Sequence, residues 1–251
     1  MLRIQNASFA YDGADAIRNV TLEVGGGGFL MALAGPNGSG KSTLLKMIAR
    51  VLRPRSGEIF FDGQKLTDWP AKDYARKIGY LPQEIDATFP MRAIDVVVSG
   101  RAAYLGRFSW ETSSDYAKAE EALATCDASH LAGRFLDEMS GGERKRVFLA
   151  RVLAGAPRLI LLDEPFAALD IAHVQQFAFL LRGIVDRTGS TVIFAAHDLN
   201  WAAAYSDRMI VMRRGEIAVD AVPAAVMRAE VVRDLFGFEA RVVDGWVVPR
   251  A

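Results

Sequence analysis

Residues 29–48, Phe-Leu-Met-Ala-Leu-Ala, Gly-Pro-Asn-Gly-Ser-Gly-Lys-Ser-Thr, Leu-Leu-Lys-Met-Ile, admit few folds. They read as an apolar strand, a glycine loop and a helix, in that order. The loop must turn tightly between the two elements, and Gly35, Gly38 and Gly40 have no Cβ to obstruct it. Such a turn aims backbone N–H groups at one point beside a helix start, where free amides and the macrodipole favour an anion. The spacing Gly35-x4-Gly40-Lys41-Ser42 is that of a phosphate-binding P-loop, here in the strand-to-helix setting that supports it. A nucleoside triphosphate is the expected ligand. Lys41 would reach its β- and γ-phosphates and the Ser42 hydroxyl would meet Mg²⁺. Pro36, Asn37, Ser39 and Thr43 complete the cradle; an ordinary glycine-rich turn is the alternative.

With 251 residues, 51% of them hydrophobic, the chain can bury a large core, as one domain or a domain with an insertion. Thirty basic residues balance thirty acidic ones, so no nucleic-acid-binding tail is expected. Cys126 is the sole cysteine, which excludes an intrachain disulfide and a cysteine metal cluster; at a helix end it reads as a small core residue. The start has no apolar signal core, and no apolar run is long enough to span a bilayer. A soluble, cytoplasmic protein is expected, one that needs a membrane-spanning partner if it works at a membrane.

Residues 2–11 and 17–24 alternate as strands around an Asp12-Gly13 turn. The four glycines 25–28 precede a strand rather than a helix, so they read as a flexible turn and not as a second cradle. A short strand at 56–63, a helix at about 70–77 and a strand at 78–83 follow. Beyond Gln83 the spacing becomes helical, over 94–104, 114–126 and 141–154, with Ser113 or Ser114 and Ser140 as N-caps. Residues 158–164 form a nearly all-apolar strand, as in a sheet covered on both faces. A helix at 171–187 and a strand at 191–196 continue the α/β alternation. Two tail hairpins, 209–219 and 241–248, turn at Arg214-Gly215 and Asp244-Gly245, with helices between 223 and 236.

Two further constellations carry chemistry. The apolar strand ends in Asp163-Glu164, at the edge where α/β folds place their ligands. Asp163 suits a direct or outer-sphere role on Mg²⁺, and Glu164 suits orienting or deprotonating the attacking water. A solvated acidic turn before Pro165 is the plain alternative. In Met139-Ser140-Gly141-Gly142-Glu143-Arg144-Lys145-Arg146-Val147, Ser140 and two glycines open a helix and offer another hydroxyl-plus-amide anion site. One chain has only one γ-phosphate in its P-loop, so this second site needs explaining. A capped surface helix with a basic face would suffice if the motif stood alone.

That motif resembles the signature of ATP-binding-cassette (ABC) ATPases, and the rest of the chain resembles the family in the same order. The resemblance implies that two copies sandwich ATP head to tail, each giving Ser140, Gly141 and Gly142 to the other's P-loop. Tyr11 stands where the family has its adenine-stacking aromatic, a core strand tyrosine being the alternative. Gln83 matches the Q-loop glutamine, which meets the Mg²⁺ site and passes motion to a helical subdomain. Ala168-Leu169-Asp170 matches the D-loop, and His197 the switch histidine at the γ-phosphate; His197 as a structural histidine is the alternative. His130 and His173 read as structural. The implied fold is α/β: a P-loop (RecA-like) ABC ATPase core with an N-terminal antiparallel β-subdomain and an inserted α-helical subdomain. One domain, 1–251, would divide into a core of 1–85 and 158–251 and a helical part at about 86–157.

The implied reaction is hydrolysis of ATP to ADP and phosphate. Lys41 and the loop amides would bind phosphates, Ser42, Gln83 and Asp163 would hold Mg²⁺, Glu164 would handle the water and His197 would sense the γ-phosphate. Residues 169–173, 196–200, 99–101 and 105–108, with the tail at 231–238, look like ATPases of importers for ferric siderophore, haem or cobalamin. Met139, Phe166-Ala167 and Gly25–Gly28 depart from the group's pattern without removing a catalytic group. The partners implied are a second copy, transmembrane permease subunits and, through them, a substrate-binding protein, with the chain on the cytoplasmic face of the membrane. A soluble ABC ATPase in cofactor or cluster assembly is the rival; DNA-repair members have long coiled-coil insertions for which this chain has no heptad run. The segment 84–91, with Ile85, Phe89 and Met91 apolar among polar residues, is the candidate permease contact.

Overall fold

The computed structural model describes residues 1–84, 90–106, 108–167, 169–237 and 239–249. In chain order its elements begin with β1 (Leu2–Tyr11), β2 (Ala14–Val24) and β3 (Leu30–Ala34), then α1 (Lys41–Ile48), β4 (Ser56–Phe61) and β5 (Gln64–Lys65). Next come α2 (Ala71–Ala75), β6 (Ile78–Leu81), α3 (Ala93–Val98), α4 (Ser113–Thr125) and α5 (Gly141–Ala154). They continue with β7 (Leu159–Leu162), α6 (Ile171–Thr188), β8 (Thr191–Ala196), α7 (Leu199–Ala204), β9 (Arg208–Arg213) and β10 (Glu216–Ala221). The tail holds α8 (Pro223–Val226), α9 (Ala229–Phe236), β11 (Ala240–Val243) and β12 (Trp246–Pro249).

Alternation in β1 and β2 buries Leu2, Ile4, Ile17, Val20, Leu22 and Val24 on one face of an antiparallel sheet ordered β2-β1-β4-β5. The second sheet runs β10-β9-β3-β8-β7-β6; it is parallel from β9 to β6, with β10 antiparallel at the edge. Every residue of β3, β7 and β8 is buried because both faces are covered. Leu30, Ala32 and Ala34 join one core with α3, α4, α5 and α6; Met31 and Leu33 join the other with α1 and the antiparallel sheet. A one-residue slip of β3 would exchange these two sets.

Parallel pairing also aligns the strand ends. Gly35, Asp163 and His197 all follow the carboxyl ends of β3, β7 and β8, and Gln83 lies two residues beyond the end of β6. Turn Arg214-Gly215 props this edge: Gly215 N donates to Ser39 O at 3.0 Å, and Arg18 N donates to Gly215 O at 2.8 Å. The tail hairpin of β11 and β12 is fixed to α7 by Asn200, whose side chain donates to Val247 O at 3.2 Å and accepts from Val247 N at 2.7 Å.

Several boundaries differ from the sequence reading. The helix expected over 94–104 is α3 followed by a 3-10 stretch, Ser99–Tyr104. The N-cap of α4 is Thr112, not Ser113 or Ser114: Thr112 Oγ1 accepts from Asp115 N and the Asp115 carboxylate accepts from Thr112 N, a closed capping box. Of the segment proposed as a permease contact, residues 85–89, with Ile85 and Phe89, lie outside the described residues; Met91 is exposed. Arg107, Ala168 and Phe238, from the resemblance motifs, are also outside them. Cys126 is buried at the end of α4, as read.

Asp115 gives the helical layer a pH dependence. Bonds from Thr112 N and Oγ1, and then Arg101 at 3.1 Å, hold its carboxyl below the usual aspartate range. Because the folded-state pKa is depressed, the stabilisation is complete above the unfolded value of about 3.9 and is lost as pH falls through the folded one. The urea midpoint is therefore expected to drop below about pH 4, and Asp115→Asn to flatten that limb while lowering the midpoint at pH 7. An unchanged acid limb in the variant would show that other carboxylates set it.

Candidate nucleotide site

The P-loop keeps its shape through close backbone approach. Gly35 has φ 145°, and a Cβ there would lie 2.3 Å from Met212 O; Gly40 has φ 105°, with Ala16 O 2.6 Å from the corresponding point. No side chain fits at either position. The loop delivers Lys41 at the first turn of α1, its Nζ donating to Gly35 O at 2.8 Å and Pro36 O at 3.1 Å. Burial lowers the Lys41 pKa, and the charges of Glu164 and Asp163 act against that. Ser39 Oγ is buried in the loop without a hydrogen-bond partner, so the cradle holds a polar atom its own chain does not satisfy.

Ser42 Oγ donates to Asp163 Oδ1 at 2.9 Å. Asp163 is buried, which raises its pKa; the Ser42 bond lowers it in turn. Glu164 sits with φ 49°, a left-handed backbone for a side chain with Cβ. Its Oε2 accepts from Gln83 Nε2 at 3.1 Å and lies 3.5 Å from His197 Nδ1. Strands β6, β7 and β8 thus bring Gln83, Glu164 and His197 to one point. A cleft of roughly 590 Å³ joins them to the P-loop, lined by Tyr11, Ala16, residues 37–43, Gln83, Glu164 and His197. Tyr11 is 45% exposed there, with Phe9 edge-on behind it, so it is not the core tyrosine of the alternative reading.

Ser140, Gly141, Gly142 and Asp170 lie elsewhere. Ser140 caps α5: its Oγ accepts from Glu143 N at 3.2 Å, and Glu143 Oε2 accepts from Ser140 N at 2.8 Å. Gly141 borders a second cavity of about 260 Å³ with Gln83, Lys145, Asp163 and Glu164; Gln83 and Glu164 line the P-loop cleft as well. Asp170 caps α6, accepting from His173 N at 2.9 Å and lying 2.8 Å from His173 Nδ1. Neither Ser140, Gly142 nor Asp170 lines the P-loop cleft. Glu143 was missed in the sequence although the Ser-x-x-Glu spacing is the signal of a capping box.

The family model described as ABC transporter matches residues 17–167. The chain belongs to that family. It is an ATP-hydrolysing cassette with the α/β P-loop fold set out above. Among curated relatives, the "Hemin import ATP-binding protein HmuV" of Nocardia farcinica is 42% identical over 86% of this chain and 74% of its own length. The "Ferric enterobactin transport ATP-binding protein FepC" of Escherichia coli is 32% identical over 97% of this chain and 89% of its own. A solved cassette dimer in a post-hydrolysis state bound to ADP and Pi superposes with TM-score 0.77 at 29% identity, over 89% of this chain and 99% of that one. A structure described as an inward-facing metal-chelate type ABC transporter gives TM-score 0.84 at 27% identity, over 100% and 97% of the two chains.

Within the cassette, oxygen donors at Ser42, Asp163 and Gln83 suit a hard cation such as Mg²⁺, which is held by few protein ligands plus phosphate and water. Among the described residues there is no cluster of three or more His, Cys, Asp or Glu of the kind a site for a softer metal needs. Lys41→Ala is expected to weaken ATP binding itself, since it deletes the one buried cation in the phosphate cradle; fluorescence titration with a labelled nucleotide would read this. Unaltered affinity would count against the cradle.

Proposed function

We propose that the chain energises a membrane importer of an iron chelate, with haem the first candidate cargo. The observation that carries this is the clustering of P-loop, Gln83, Glu164 and His197 in one cleft, in a chain whose relatives are named for hemin and ferric enterobactin import. Those relatives favour transport over cofactor or cluster assembly. Phosphates lie along the amides of residues 35–43 and on Lys41, with Tyr11 against adenine. Ser42, Asp163 and Gln83 would hold Mg²⁺, which would supply positive charge against the phosphates. Glu164 takes or orients the proton of the attacking water, Gln83 and His197 both meet that carboxylate at Oε2, and His197 meets the γ-phosphate.

The second anion site completes the reading. Ser140, Gly141 and Gly142 lie outside their own chain's cleft and serve the P-loop of a second copy, with Asp170 at the seam. Residues of about 86–157 act as a helical part that moves with permease subunits. No described helix is long and apolar enough to cross a membrane, so force passes to a spanning partner from the cytoplasmic face, and a substrate-binding protein delivers cargo on the other side. Reconstitution tests this: vesicles carrying the cognate permease and this chain should accumulate haem only with ATP, and not with Lys41→Ala. Uptake indifferent to this subunit, or no permease copurifying with it, would overturn the transport reading.

A further inference from the structure

Helix α5 carries two functional groups within two turns. Its start holds Ser140, Gly141 and Gly142, and Lys145 follows one turn later. Lys145 does not point to solvent. Its Nζ donates to Pro165 O at 3.0 Å and also to Ala167 O, so the ammonium grips the backbone immediately after Glu164. Burial lowers the Lys145 pKa, and the charge of Glu164 opposes that shift, which places the two groups within electrostatic reach. They also border the same 260 Å³ cavity.

The gripped turn is strained. Glu164 has φ 49°, and Ala167 N closes the turn on Glu164 O at 3.1 Å. A left-handed conformation at a side chain of this size is disfavoured and persists only where the surroundings over-determine it. A desolvated cation bound to two carbonyls of a four-residue turn is such a determinant, because charge-assisted bonds are roughly twice as strong as neutral ones.

We propose that Lys145 is a positioning residue for Glu164. It fixes the backbone that aims the carboxylate at Gln83, His197 and the cleft, and it does so from the helix whose start serves a second nucleotide. A shift of that helix start is therefore transmitted to Glu164 through one side chain. The inference rests on the reading of Glu164 as the water-handling group.

The experiment uses the full chain with Lys145→Met, which keeps the side-chain length and removes the donors, and Lys145→Arg, which restores a cation able to reach two carbonyls. For Lys145→Met, kcat is expected to fall about ten- to hundred-fold, the size expected from a small misplacement of a catalytic group, with ATP affinity and KM nearly unchanged. Lys145→Arg should recover most of that loss. Near-UV circular dichroism and melting temperature report whether either variant is folded. A kcat for Lys145→Met within about twofold of the parent overturns the proposal. So does a loss that Lys145→Arg fails to recover, or one that follows the unfolded fraction. Glu164→Gln assayed alongside separates the two readings: if it is inactive while Lys145→Met is normal, only the Lys145 inference falls. If Glu164→Gln itself turns over normally, both fall.

Discussion

Glu164→Gln is expected to lower ATP turnover by about 10²–10⁴-fold, the range for loss of a general base, while ATP binding survives. The separation follows from the site's geometry. The phosphate contacts proposed for the loop and Lys41 do not involve Glu164, and Ser42 bonds to Asp163 rather than to Glu164. The amide keeps the size of the side chain and can still meet Gln83 and His197. What it loses is the capacity to take a proton. Because the nucleotide then stays intact, the variant should also collect as an ATP-dependent dimer in sedimentation, and ADP should not support that dimer. Near-normal hydrolysis would remove Glu164 from the mechanism.

The second large effect is expected at Ser140. Ser140→Arg should abolish the ATP-dependent dimer in the Glu164→Gln background and leave nucleotide binding by the single chain intact. The residue sits at the first amide of α5, with its hydroxyl and backbone N–H in a box with Glu143. Loss of that cap costs about 1 kcal/mol of stability, too little to prevent folding. A long cation at the same point fills the space that, in the proposed head-to-tail dimer, a phosphate of the second copy enters. A two-fold interface forms both sites or neither, so one substitution in each chain removes both. Ser140→Ala controls for the cap: it should melt lower and still dimerise. A Ser140→Arg protein that dimerises and hydrolyses ATP would refute the head-to-tail arrangement.

The fold was legible where local and global signals agree. The P-loop needs strand, glycines, lysine and helix in fixed order, and β3 and α1 lie as read. Apolar β7 and β8 follow from a sheet covered on both faces. What sequence could not supply was long-range contact. Thr112 displaces Ser113 and Ser114 as the cap of α4 because Asp115 turns back to its backbone N–H, while Arg101 from the preceding 3-10 stretch bonds the same carboxylate. Lys145 looks like one more cation on a basic helix face; its two carbonyl partners lie 20 and 22 residues away. Tyr11 left two readings open in sequence, and its exposure beside the loop answers only that it is outside the core.

Sheet order also sets a timetable for synthesis. The phosphate-loop strand, β3, is made early, but both its neighbours, β8 and β9, begin only at Thr191 and Arg208. At about 5–20 residues per second, the interval before β8 is complete is on the order of ten to thirty seconds. Through that interval Leu30–Ala34 has no sheet partner, and only Met31 and Leu33, which pack on α1 and the antiparallel sheet, have early-made neighbours to meet. The nucleotide cleft cannot close ahead of His197, so a growing chain holds no complete cleft until β8 has been made. A ribosome-bound chaperone that shields residues 29–34 would be relieved of them by the arrival of β8.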